Sequence, residues 1–223
     1  MTILPRTQDR TVTHDVVVGQ WRFPGILSLP EHPSALILFA HGSGSSRFSA
    51  RNREVAASLN HCGMATLLFD LLDPEEESAH GRAKVFDIAL LSRRLSDAVA
   101  WADDVAGAFP SIGLFGASTG GAAALMTAAE LGTRIGAVVS RGGRPDMAGD
   151  ALEKVVSPTL LIVGGADHGV IELNQIAFSR LKAVRSLEIV PGATHLFAEP
   201  GAMEQVIRLA RDWFERYLTP YPT

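Results

Sequence analysis

The pentapeptide Gly116-Ala117-Ser118-Thr119-Gly120 joins the end of an apolar, strand-like run to an alanine-rich segment with helical character. A serine in a sharp strand-to-helix turn is held in a strained backbone conformation that lifts its hydroxyl clear of the sheet, where it can act as a nucleophile. Glycines two residues to either side answer a steric demand, because a side chain at Gly116 or Gly120 would strike the neighbouring strand or helix. A serine hydroxyl is a poor nucleophile until a base takes its proton, and imidazole is suited to that near neutral pH.

Partners for Ser118 are expected just beyond the carboxyl ends of later strands, where ligands bind in open parallel sheets. Asp167 follows the run 159–163 across Gly164-Gly165-Ala166, and His195 follows the strand ending at Val190 across Pro191-Gly192-Ala193-Thr194. We assign His195 as base and Asp167 as the acid that orients it. His168 is the alternative base and Asp146 the reserve acid. His41-Gly42-Ser43-Gly44, directly after apolar residues 36–40, reads as an oxyanion loop, with the backbone amides of Ser43 and Thr119 receiving the developing charge.

Arg141 and Arg144, after another strand, have the chemistry to grip a substrate carboxylate by a two-pronged hydrogen bond, although pairing with Asp146 or another carboxylate is the simpler expectation. Arg47 and Arg51 fall under the same suspicion. Residues 73–84, with Glu75-Glu76-Glu77, read as a flap over the site or as a solvated loop. The single cysteine, Cys62, lies on the apolar face of a helix and is expected in the core.

These residues need a scaffold. Strand signals at 15–20, 22–28, 35–40, 64–69, 111–115, 135–140, 159–163 and 186–190 alternate, after the first pair, with helical spacing at 51–62, 87–106, 119–131, 171–181 and around 203–217. Apolar strands between helices predict an α/β fold with a mostly parallel central sheet covered on both faces. The chain has 223 residues, 47% of them hydrophobic, with no linker, so residues 1–223 are expected to form one domain with only 219–223 loose. A net charge of −4 without a basic stripe argues against nucleic-acid or anionic-membrane partners. The N-terminus lacks a basic region followed by an apolar stretch, and a lone cysteine fits a reducing compartment, so a cytoplasmic location is expected. There is no phosphate-loop or dinucleotide spacing and no zinc pairing, so no cofactor and no metal are expected.

Ser118, Asp167 and His195, in the chain order serine, acid, histidine and with the His41–Gly44 loop, resemble the alpha/beta-hydrolase superfamily from about residue 35 to 217. The compact layout without a large cap is similar to dienelactone hydrolase-like proteins, which carry cysteine where this chain has Ser118. The resemblance implies a serine hydrolase acting on a small-molecule carboxylic ester or lactone. Acyl transfer on the same triad and a non-catalytic binding module on the same fold are the alternatives. Oligomeric state is not legible.

Overall fold

Leu36–Ala40 is buried at every position, and its neighbours explain why a strand should be apolar on both faces. Leu36, Leu38 and Ala40 enter one hydrophobic core, while Ile37 and Phe39 enter a second on the opposite side of the sheet. Alternation along a strand sends successive side chains to opposite faces, so a sheet covered on both sides demands this pattern. The computed structural model describes residues 11–105 and 109–218, and the expectation for 219–223 lies outside them.

Eight strands form the sheet: β1 (Val12–Val18), β2 (Phe23–Leu29), β3 (Leu36–Ala40), β4 (Ala65–Phe69), β5 (Ile112–Ala117), β6 (Ile135–Arg141), β7 (Thr159–Gly164) and β8 (Arg185–Val190). Their spatial order is β1-β2-β4-β3-β5-β6-β7-β8. The β1–β2 and β2–β4 pairs are antiparallel and all others parallel. The helices are α1 (Ala50–His61), α2 (Pro74–Ser78), α3 (Ile88–Val105), α4 (Thr119–Leu131), α5 (His168–Arg180) and α6 (Ala202–Leu218). Residues of α3 and α4 fill the first core, and residues of α1 and α6 the second. Among the described residues, no helix is long and apolar enough to cross a membrane.

Boundaries shift where turn chemistry or tertiary contacts override periodicity. The first strand begins at Val12, earlier than its mostly exposed side chains suggest, because its ladder with β2 runs from Val12–Leu29 to Val18–Phe23. Residues 73–84 contain α2 and enter a 3-10 segment, Ala79–Phe86. Glu76 ties α2 to the body, with both oxygens 2.8 Å from the buried Arg94 guanidinium, which also stacks near Trp21 and Phe23. Between β6 and β7 the chain forms only the short 3-10 segment Pro145–Lys154, so no large helical cap stands there.

Candidate active site

Ser118 has φ 52° and ψ −123°, a region that side-chain-bearing residues rarely occupy. Three backbone hydrogen bonds hold it: its N–H donates to Arg141 O at 3.4 Å, and its carbonyl accepts from Gly121 N and Arg144 N, both at 3.0 Å. The flanking glycines are sterically required, since a Cβ at Gly120 would lie 2.0 Å from Ala40 O and one at Gly116 2.4 Å from Gly120 O. The elbow is thus built by β3, β5 and β6 together, at the carboxyl edge of the sheet.

Asp167 and His195 meet at the same edge. Asp167 occupies the N-cap position of α5, yet its side chain makes no capping hydrogen bond. Its carboxylate instead accepts from His195 Nδ1 at 2.7 Å. Because a carboxylate only accepts, this contact places the ring proton on Nδ1 and leaves Nε2 as the acceptor. The loops carrying the pair are stitched by Gly165 N to Val190 O at 2.8 Å and Ala166 N to Ala193 O at 2.9 Å. His195 is 41% exposed and Asp167 18%, so the ring faces solvent while its carboxylate is sheltered. A Cβ on Gly142 would lie 3.2 Å from His195 O and 3.7 Å from its Cε1. Gly142 directly follows Arg141, whose carbonyl receives the Ser118 amide, and so brings His195 to the sheet edge that carries Ser118. Among the described residues Ser118 Oγ makes no hydrogen bond, and the looser geometry common to unliganded sites accommodates that.

The alternatives for base and acid are engaged elsewhere or directed outward. His168 is exposed at the start of α5, and Asp146 pairs with Arg144 through contacts of 2.9 and 2.8 Å. That pair is the structural role anticipated for Arg144, and the Asp146 hydrogen bond raises its pKa. Arg141 departs from the same expectation. It is 8% exposed and pairs with no carboxylate; its Nη2 donates to Asn52 Oδ1 at 3.4 Å, and its Nε and Nη1 have no partner among the described residues. Burial, reinforced by neighbouring Arg51, pulls its pKa down to about 10.

The loop after β3 lies directly on Ser118, with a Cβ at Gly42 falling 2.7 Å from Ser118 Cβ. His41 holds it there: buried Nε2 accepts from Leu71 N at 2.9 Å, so Nδ1 carries the proton and donates to Gly42 O at 3.0 Å. A constricted cavity of about 10 Å³, near the space of one water, is bounded by Ser43, Gly42 and Thr119 among others. Glu77 of α2 accepts from Gly44 N, which links the flap candidate to this loop. Arg47 pairs with Asp70. The positioning roles of His41, Glu77 and Asn52 went unread in the sequence; for His41 the signal was its place at the end of a buried strand, where an imidazole must find partners.

Cys62 is far from this chemistry, on α1's C-terminal side, and burial together with Glu215 pushes its thiol up to about 11. Among the described residues no three His, Cys, Asp or Glu side chains gather to hold a metal.

Comparison with known proteins places this geometry. A family model for the alpha/beta hydrolase domain matches residues 33–208. A Mycobacterium tuberculosis H37Rv protein named "Putative phosphoribosyl transferase" is 55% identical over 215 residues, covering 96% of this chain and 48% of that protein, and its CDC 1551 counterpart matches equally. The chain therefore spans about half the length of these curated relatives. The crystal structure of dienelactone hydrolase from Anabaena variabilis is 49% identical with a TM-score of 0.89, covering 95% of this chain and 100% of that one. Est1E from Butyrivibrio proteoclasticus, solved with ferulic acid, shares the fold at 19% identity and a TM-score of 0.73, covering 87% and 96%.

Proposed function

The chain belongs to the alpha/beta hydrolase family, and from that premise we propose that it is a serine hydrolase cleaving a carboxylic ester or lactone through an acyl-enzyme on Ser118. The observation that carries this reading is the 2.7 Å Asp167–His195 contact at the same sheet edge as a serine strained at φ 52°.

Ser118 Oγ attacks the carbonyl carbon as His195 Nε2 takes its proton, and Asp167 steadies the resulting imidazolium. The carbonyl oxygen, now negative, rests on the amides of Ser43 and Thr119, a site where one donor is worth roughly 10²- to 10³-fold in rate. The intermediate collapses as His195 returns the proton to the departing alkoxide. Water then attacks the acyl-enzyme, gives its proton to His195, and the second collapse releases the acid and restores the Ser118 hydroxyl. For a lactone, the leaving alkoxide remains tethered to the acyl group.

The Anabaena dienelactone hydrolase supports ester or lactone chemistry, with this chain offering serine as the nucleophile. Acyl transfer would use the same residues with an alcohol or amine replacing water. The transferase name of the mycobacterial proteins belongs to chains twice as long, and the stretch shared with them carries the hydrolase fold. With one cysteine and no cofactor required, we place the reaction in the cytoplasm on a small-molecule substrate.

Intact-mass spectrometry after a fluorophosphonate probe tests the reading without knowledge of the substrate. One adduct per wild-type chain, absent from Ser118→Ala and His195→Ala, is the expected outcome. Folded wild type that stays unlabelled would refute nucleophile activation and favour a binding module.

A further inference from the structure

Burying a guanidinium without a counter-charge is costly, so native proteins pair such groups or reserve them for a ligand. Arg141 is the instance here. It lies on β6 in step with Ala137 and Val139, which face the core shared with α1 and α6, and reaches Asn52 in the first turn of α1. Among the described residues its side chain hydrogen-bonds to a neutral amide oxygen, and Nε and Nη1 are buried and unpartnered.

A second arginine repeats the pattern. Arg51, beside Asn52 on α1, also has a buried Nε without a partner among the described residues, and its charge bears on Arg141. Two like charges gathered under one helix start repel unless an anion lies between them. The helix itself adds positive character: α1 has 12 residues, and its capping contact is the Ser49 hydroxyl accepting from Asn52 N at 3.4 Å. A cavity of about 310 Å³ opens along residues 43–46 and 48–51, so Arg51 and the oxyanion loop share one wall. Arg141 is also the residue whose carbonyl holds the Ser118 amide. The strand that carries the buried cation therefore ends at Ser118.

We propose that Arg141, Arg51 and the first turn of α1 form a receptor for an oxyanion group, a carboxylate or phosphate, bound next to Ser118. Planar guanidinium donors suit the paired oxygens of such groups, and a dry setting strengthens each contact. The group comes either from an acidic substituent on the acyl part of the substrate or from a free inorganic oxyanion. The first source rests on the serine-hydrolase reading; the second does not.

The test uses the full chain as wild type, Arg141→Met and Arg51→Met. Thermal unfolding and calorimetry with inorganic phosphate read the free anion. The ratio of kcat/KM for an aryl hemisuccinate to that for the matching aryl butyrate reads the acidic substituent. We expect a phosphate-dependent rise in Tm that both variants lose, or a hemisuccinate preference that falls about 10- to 100-fold in either variant. A change in phosphate binding alone identifies a free anion, and a change in the ratio alone identifies the substrate's own group. Wild type that neither binds phosphate nor prefers the hemisuccinate, or variants that match it in both, overturns the receptor. If Arg141→Met fails to fold, Arg51→Met, only partly buried, decides. Fluorophosphonate labelling is run in parallel: unlabelled wild type that still binds phosphate defeats the hydrolase reading and leaves the receptor standing.

Discussion

Ser118 holds its positive φ because β5, β6 and α4 leave the elbow no other path. A residue in that region stores roughly 1–3 kcal/mol of strain, which a glycine would release. Ser118→Gly is therefore expected to gain about 1 kcal/mol of stability, after the entropy that glycine adds to the unfolded chain, while losing ester hydrolysis; urea unfolding beside an aryl-ester assay checks both. Asp167 acts at one remove, by fixing the His195 tautomer. Asp167→Asn should fold normally and drop kcat by about 10⁴-fold, whereas Asp146→Asn, which weakens a part-buried pair with Arg144, should stay near wild type in the same assay. The placement of Ser118, Asp167 and His195 at one sheet edge was legible in the sequence because each follows a strand, and strand ends converge. The state of Arg141 was not, since its Asn52 contact spans 89 residues and local pattern carries no record of such a meeting.

Elements built by packing alone were harder to read than those with periodic apolar faces. The α6 helix was evident from the 3/4 spacing of Met203, Val206, Ala210, Trp213 and Tyr217; the first three are buried, Trp213 and Tyr217 pack partly buried against the core, and Phe214 and Leu218 complete the inner face. By contrast, α2 has no buried residue, and its place depends on Glu76 meeting Arg94. That pair makes acid stability predictable. The Arg94 hydrogen bond, with Lys84 assisting, lowers the Glu76 carboxyl from its ordinary 4.5 to about 2 in the folded chain. A depressed carboxylate contributes fully above its unfolded pKa, so this stabilisation, on the order of 3 kcal/mol at most, is present above pH 4.5 and fades as pH falls through about 2. Glu76→Gln is expected to be less stable at pH 7 and to lose part of the wild-type decline between those limits, as read by unfolding midpoints across pH. A parallel curve displaced by a constant amount would count against the ion pair as the cause.

At the scale of the whole molecule, two hydrophobic cores share one sheet. Leu38 faces the first; Phe39 faces the second, where it meets Phe115 with ring centroids 4.9 Å apart. Truncating either should cost about 2–5 kcal/mol for Leu38→Ala and about 3–5 kcal/mol for Phe39→Ala. Both variants are expected to shift one cooperative transition with an unchanged m-value in urea, because each strand belongs to both layers; two separated transitions would show the layers to be independent. The alternating order of strands and helices made this architecture legible, while the antiparallel β2–β4 pairing, which links strands distant in the chain, required the three-dimensional neighbour.

The same two-sided sheet has a consequence for how this protein changes over time. On β6, Ser140 follows the parity of Val138, toward α4, the helix that carries Ser118, and Arg141 that of Val139, toward α1. Adjacent codons therefore address opposite layers. A substitution on the α1 side therefore repacks a different layer from the one that backs the elbow, so the two faces of one strand are free to change separately.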